Sequence, residues 1–256
     1  MISRRAVLSW LGASAGACAV TAGSPLSAVT GARSAQGTRV VNVESFCVAH
    51  GSHESRLHAY LADTLLPRMQ QLHQGPRLCL EAVVAPRTPQ AMVLAVFSSF
   101  EEMLEIRAGL AASPDVRQGR AELESSAPPF FFEEVRSQVL VVSEGAVRFP
   151  SNLQSFQAGI FEVRSYDAPA WHDGVPTRAI AVLNRAGIHP MVNAATAAGE
   201  HMPRFTYVVP FASLAAREQA WTRLEADAEW IDMQRESAAT VTSKSIYKLA
   251  PYSRLG

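Results

Sequence analysis

Glu162, Arg164 and Tyr166 are the side chains whose types and spacing could best do chemistry in this sequence. They alternate with other residues in Phe161-Glu162-Val163-Arg164-Ser165-Tyr166, and a strand sends successive side chains to opposite faces, so the three share one face. A guanidinium placed there could bind a carboxylate or enolate while the neighbouring carboxylate takes a proton. The same two groups could equally form a structural ion pair, because a buried charge has to be matched. Tyr207 and His201 are the further candidates for such a pocket. A similar segment, Val41-Asn42-Val43-Glu44-Ser45-Phe46, carries Asn42, Glu44 and Phe46 on the corresponding face and no arginine. The pocket is therefore expected to be asymmetric and to favour the Arg164 end of the chain.

Other reactive residues point to less. His50, His53 and His58 with Glu54 form the densest group of metal-ligand types, but His53 and His58 miss the i, i+4 spacing that aligns two ligands on a helix. A solvated helix start without metal is expected there. Cys47 and Cys79 fall on strands that should not be neighbours, so free thiols are expected. Gly12-Ala13-Ser14-Ala15-Gly16 fits the serine-hydrolase pattern without the strand-turn-helix context that the nucleophile elbow needs. No Walker loop, dinucleotide glycine fingerprint, H-E-x-x-H or C-x-x-C occurs, and no cofactor is expected.

Composition narrows the class. The 256 residues are 48% hydrophobic and 18% charged, with a formal net charge of zero, which describes a globular chain and excludes a nucleic-acid binder working through bulk positive charge. Ser3-Arg4-Arg5 precedes an uncharged stretch rich in Ala, Gly, Ser and Thr. That pattern reads as a twin-arginine export signal, so residues 1–36 are assigned to a leader and the protein to the periplasm or the exterior. The stretch is too weakly apolar for a stable membrane span.

The elements that must position these residues come in two copies. Phe97-Ser98-Ser99-Phe100 aligns with Phe211-Ala212-Ser213-Leu214, and the alignment continues without gaps through Leu110 over Leu224. Ser99 and Ser213 are expected to cap helices, with Ser113 and Asp227 capping a second, shorter helix in each copy. A helix from Glu54 to about Leu72 should kink at Pro67, and a shorter one is expected from about Pro176 to Arg185. Strands are expected at Arg77–Val84, Met92–Phe97 and Gln138–Ser143, and again at Met191–Asn193, Phe205–Val209 and Ser243–Leu249. The order is β-α-β-β-α-β twice, an α+β fold of two ferredoxin-like domains at residues 37–149 and 150–256. Each leaves one sheet face bare, and packing sheet to sheet covers both. With the Phe161 face towards the helices, Glu162, Arg164 and Tyr166 would line the interior. Phe130-Phe131-Phe132 would plug that interior or cover its rim.

The segments Phe161 to Tyr166, Asn184-Arg185-Ala186-Gly187-Ile188, Phe211 to Arg217, Asp227-Ala228-Glu229-Trp230 and Leu249-Ala250-Pro251-Tyr252-Ser253 resemble the NIPSNAP family, part of the dimeric α/β-barrel superfamily. The resemblance implies an intrachain dimeric α/β barrel and no agreed reaction. Tyr207 and Val209 stand where the family tends to hold a His and a Trp. The expected role is a small-molecule binding protein or assembly module, with a small apolar or aromatic ligand and self-association as the partners left open. The alternative is a cofactor-independent monooxygenase or isomerase of the same superfamily.

Overall fold

The computed structural model describes residues 39–142, 148, 159–167, 177–200, 202, 204–237 and 240–253. The leader 1–36, Trp171 and His201 lie outside the described residues. The first half runs β1 (Arg39–Val48), α1 (Ser52–Tyr60), α2 (Leu66–Leu72), β2 (Arg77–Val84), β3 (Gln90–Phe97), α3 (Phe100–Ala112), α4 (Pro114–Ser125) and β4 (Phe132–Val142). The second runs β5 (Ile160–Asp167), α5 (Thr177–Arg185), β6 (Val192–Ala198), β7 (Arg204–Phe211), α6 (Leu214–Glu225), α7 (Ala228–Ser237) and β8 (Thr240–Leu249).

Sequence explains the local breaks. A π-helical turn, Leu61–Leu65, joins α1 to α2. Pro67 has no N–H to give to the preceding turn, so the helix widens there and the expected kink takes this form. Ser99 Oγ accepts from Glu102 N, and Ser213 Oγ accepts from Ala216 N, both at 3.1 Å. Asp227 Oδ1 caps α7 through Trp230 N at 3.2 Å. Ser113 departs from expectation: it occupies the cap position of α4, but its hydroxyl is buried and makes no capping bond.

The strands form a closed barrel in the order β1-β3-β2-β8-β5-β7-β6-β4. Each half contributes the ferredoxin-like order, β4-β1-β3-β2 and β8-β5-β7-β6. The two are joined by antiparallel ladders, β2 with β8 and β4 with β6. Sheet edges are thus paired, which removes open hydrogen-bonding groups as well as covering the bare faces. Registers match between halves, since Val40 pairs with Phe97 as Ile160 pairs with Phe211.

The barrel interior holds Val41, Leu94, Leu140, Phe161, Val208 and Tyr247 in one buried apolar cluster, with Ser45, Gln90, Ser165, Thr206 and Ser245 towards one end. Phe161 and Val163 therefore face inward. Glu162, Arg164 and Tyr166 point the other way, beneath the helices of the second half, which reverses the expected assignment of faces. On that side α6 supplies their hydrogen-bonding partners, Arg217 and Trp221. Phe130 and Phe132 also lie on the helix side, in edge contact at 5.0 Å, and Phe130 stacks on His53 at 5.5 Å. They neither plug the barrel nor line it.

Candidate functional site

Of the residues nominated from sequence, Glu162, Arg164, Tyr166 and Tyr207 come together, but as a packed cluster. Glu162 has no exposed surface. Its Oε1 receives Arg164 Nε at 2.9 Å and Arg217 Nη2 at 3.0 Å, and its Oε2 receives Arg217 Nε at 3.0 Å and Trp221 Nε1 at 2.6 Å. The Arg164 guanidinium also lies 3.3 Å from the centre of the Trp221 ring, a cation–π geometry. Its Nη1 donates to Tyr166 Oη at 3.3 Å. Tyr166 and Tyr207 meet edge to face at 5.6 Å. Burial pushes both phenols up, against the opposing pull of Arg164 in the case of Tyr166. With every oxygen of Glu162 engaged and Tyr207 Oη buried without a partner, this cluster holds the second sheet to α6 and presents no group to a ligand.

The corresponding space in the first half is open. A cavity of about 300 Å³ lies between β1, β3, α1 and α3. Its walls are mostly apolar, with Phe46, Phe97, Phe132 and Leu61 among them, and its polar end is made by Asn42, Glu44 and Arg107. Arg107 Nη1 donates to Glu44 Oε1 at 2.8 Å and to Asn42 Oδ1 at 3.1 Å. Burial raises the Glu44 carboxyl above its usual value, and Arg107 pulls it back. Leu104, which is 50% exposed, marks the opening along α3. Among the described residues nominated for the pocket, Glu44 lines this cavity, and the asymmetry runs opposite to expectation. A signal was present in the sequence. Val93 aligns with Tyr207, Ala95 with Val209 and Arg107 with Trp221, so the first copy has smaller side chains at most of the positions that fill the second.

The histidines are placed as follows. Glu54, His58 and Glu81 bring ligand atoms within 4.8 Å of one another, and the i, i+4 spacing of Glu54 and His58 is the pairing that the focus on His53 missed. However, His58 Nδ1 is held 2.5 Å from Tyr252 Oη, and Glu81 binds Lys248 Nζ at 2.9 Å. Two of the three side chains thus already have protein partners. His189 is exposed and bonded to Asn184 Oδ1 at 3.0 Å. Cys47 and Cys79 are free and buried, on strands separated by β3. Among the described residues no helix is long and apolar enough to cross a membrane.

Residues 158–254, the second half of the barrel, match the NIPSNAP family model. No curated protein matches the chain. Among solved structures, a point variant of chlorite dismutase from Candidatus Nitrospira defluvii is 9% identical over 85% of this chain and 93% of its own, with a TM-score of 0.50. An anthrone oxidase-like protein is 10% identical over 85% of this chain and 93% of its own, at a TM-score of 0.45. A heme-binding protein from Thermus thermophilus is 9% identical over 84% and 92%, at 0.44. At such identities the likeness is one of fold alone.

Proposed function

We propose that this protein binds a small, largely apolar molecule in the first-half cavity, with Glu44, Arg107 and Asn42 holding its polar end. The observation that carries this reading is a mostly apolar cavity of about 300 Å³ with a half-buried acid–guanidinium pair at its polar end, the usual composition of a small-molecule site. Tyr60 and Met69 line it, but no histidine or cysteine does. The strongest axial ligands for a haem iron are thus missing from the lining, and haem is not part of the reading. Titration with N-phenyl-1-naphthylamine should give a saturable fluorescence rise, lost in Ala95→Phe, whose ring would occupy the cavity. An Ala95→Phe variant with native circular dichroism and undiminished binding would remove the assignment.

A second reading, an isomerase or a cofactor-independent oxygenase, is favoured by one feature. A carboxylate raised by burial inside an apolar cavity is suited to take a proton. Here that residue is Glu44, and Glu162 is too fully engaged to share the role. On this reading Glu44→Gln keeps ligand affinity and loses turnover, whereas equal loss of both leaves binding alone.

Export by the twin-arginine route belongs to the same proposal and is supported by Ser3-Arg4-Arg5 and the uncharged stretch behind it. Replacing Arg4 and Arg5 together by lysine should leave the unprocessed chain in the cytoplasm; normal export of that variant would sink the assignment.

A further inference from the structure

The second half shows what the first half lacks. Because the strand registers coincide, Glu44 stands where the second half has Arg164, Asn42 where it has Glu162, and Phe46 where it has Tyr166. On the opposing elements, Val93 stands for Tyr207 and Arg107 for Trp221. Glu44 pairs directly with Val93, as Arg164 pairs with Tyr207. In the second half a phenol and an indole fill the layer between sheet and helices, and both rings are almost wholly buried. The indole N–H goes to a strand carboxylate, and its face meets a guanidinium. In the first half a carboxylate and a guanidinium are again present at the base of that layer, but the rings are gone. The cavity occupies their place.

Resting on the binding reading above, we infer that the natural occupant is a one- or two-ring aromatic molecule bearing a hydroxyl or N–H donor. It sits where the Tyr207 ring lies in the second half, beside the Arg107 guanidinium, with its donor on Glu44. Arg107 engages Oε1 of Glu44, and among the described residues no hydrogen bond is made to Oε2, which leaves an acceptor on a residue that lines the cavity. Phe46, Phe97, Phe132 and Tyr60 provide aromatic walls, against which a flat ring packs edge to face or offset. A guanidinium favours a ring face for the same electrostatic reason as in the Arg164–Trp221 pair. A rigid ring also loses less conformational freedom on binding than a chain of equal size.

The test uses the full chain and three probes in calorimetric titration: 2-naphthol, its methyl ether 2-methoxynaphthalene, and decanoate. The expected order is 2-naphthol tightest, with the ether and decanoate each at least tenfold weaker. Val93→Tyr, which copies the second half, should abolish binding of all three while the melting temperature stays level or rises. Ala95→Val, the milder change that also copies the second half, should weaken 2-naphthol binding if the larger substitution fails to fold. Equal binding of the naphthol and its ether, or a preference for decanoate, overturns the aromatic donor and leaves the cavity as a binding site. Unchanged 2-naphthol binding in a folded Val93→Tyr or Ala95→Val variant overturns the seat. Failure of all three probes to bind the unaltered protein overturns the binding reading itself.

Discussion

A carboxylate with no exposed surface has to be matched donor for donor, and Glu162 is matched by two arginines and an indole N–H. Removing one partner of such a group costs more than the pair contributes, because the other charges stay buried without compensation. Glu162→Ala is therefore expected to destabilise the protein by about 3–5 kcal/mol, read as a lowered urea midpoint. An unchanged midpoint would show that solvent reaches Arg164 and Arg217. His73 sets a pH dependence of definite sign. It is 1% exposed and packs on Phe97 at 4.5 Å. Burial pushes it below its ordinary value, against the pull of Glu102. Its contribution is complete above the unfolded value of about 6.5 and is lost as pH falls from there through the lower folded value. Melting temperature should fall between pH 7 and pH 5, and less steeply in His73→Gln. Parallel curves for the two proteins would discharge His73 from that role.

At the scale of elements, the repeated serine caps give the plainest expectation. Each satisfies an otherwise unpaired backbone N–H at the start of a long helix. Ser99→Ala and Ser213→Ala should each cost about 1 kcal/mol in thermal unfolding, and the two effects should add because the sites are in separate halves. Ser113→Ala should cost much less than Ser99→Ala, since its hydroxyl caps nothing. Strand positions, the helix break before Pro67 and the β-α-β-β-α-β order were all legible from alternation and turn residues. Strand ends were not: β4 begins at Phe132 because it pairs with β1 as far as Val48, and β6 continues to Ala198 because it pairs with β4 across the seam between halves.

At the scale of the whole molecule, neither half has a closed surface of its own. Strand β2 finds its second neighbour in β8, and β4 finds one in β6. The interior is one cluster drawn from both halves, so that Leu80 and Leu140 of the first pack with Tyr247 and Val192 of the second. A chain cut at a protease site inserted between residues 142 and 159 is expected to remain one particle in size-exclusion chromatography, since burial of the two sheet faces drives association whether or not they are linked. Separation of the fragments under native conditions would mean that the seams and the shared core contribute little.

The sequence by itself determined the element order of each half and the need for two bare sheet faces to meet, because both follow from periodicity and helix capping. It also marked Glu162 and Arg164 as charges that burial would force into a pair. Only the tertiary structure decided which way that pair faces and which half is hollow. Alternation distinguishes two sides of a strand without saying which one meets a helix. The answer depended on Arg217 and Trp221, on an element distant in sequence, reaching Glu162. The cavity likewise arises from a difference between copies, Val93 and Arg107 against Tyr207 and Trp221, whose consequence is a volume that exists only once the helices are laid on the sheet.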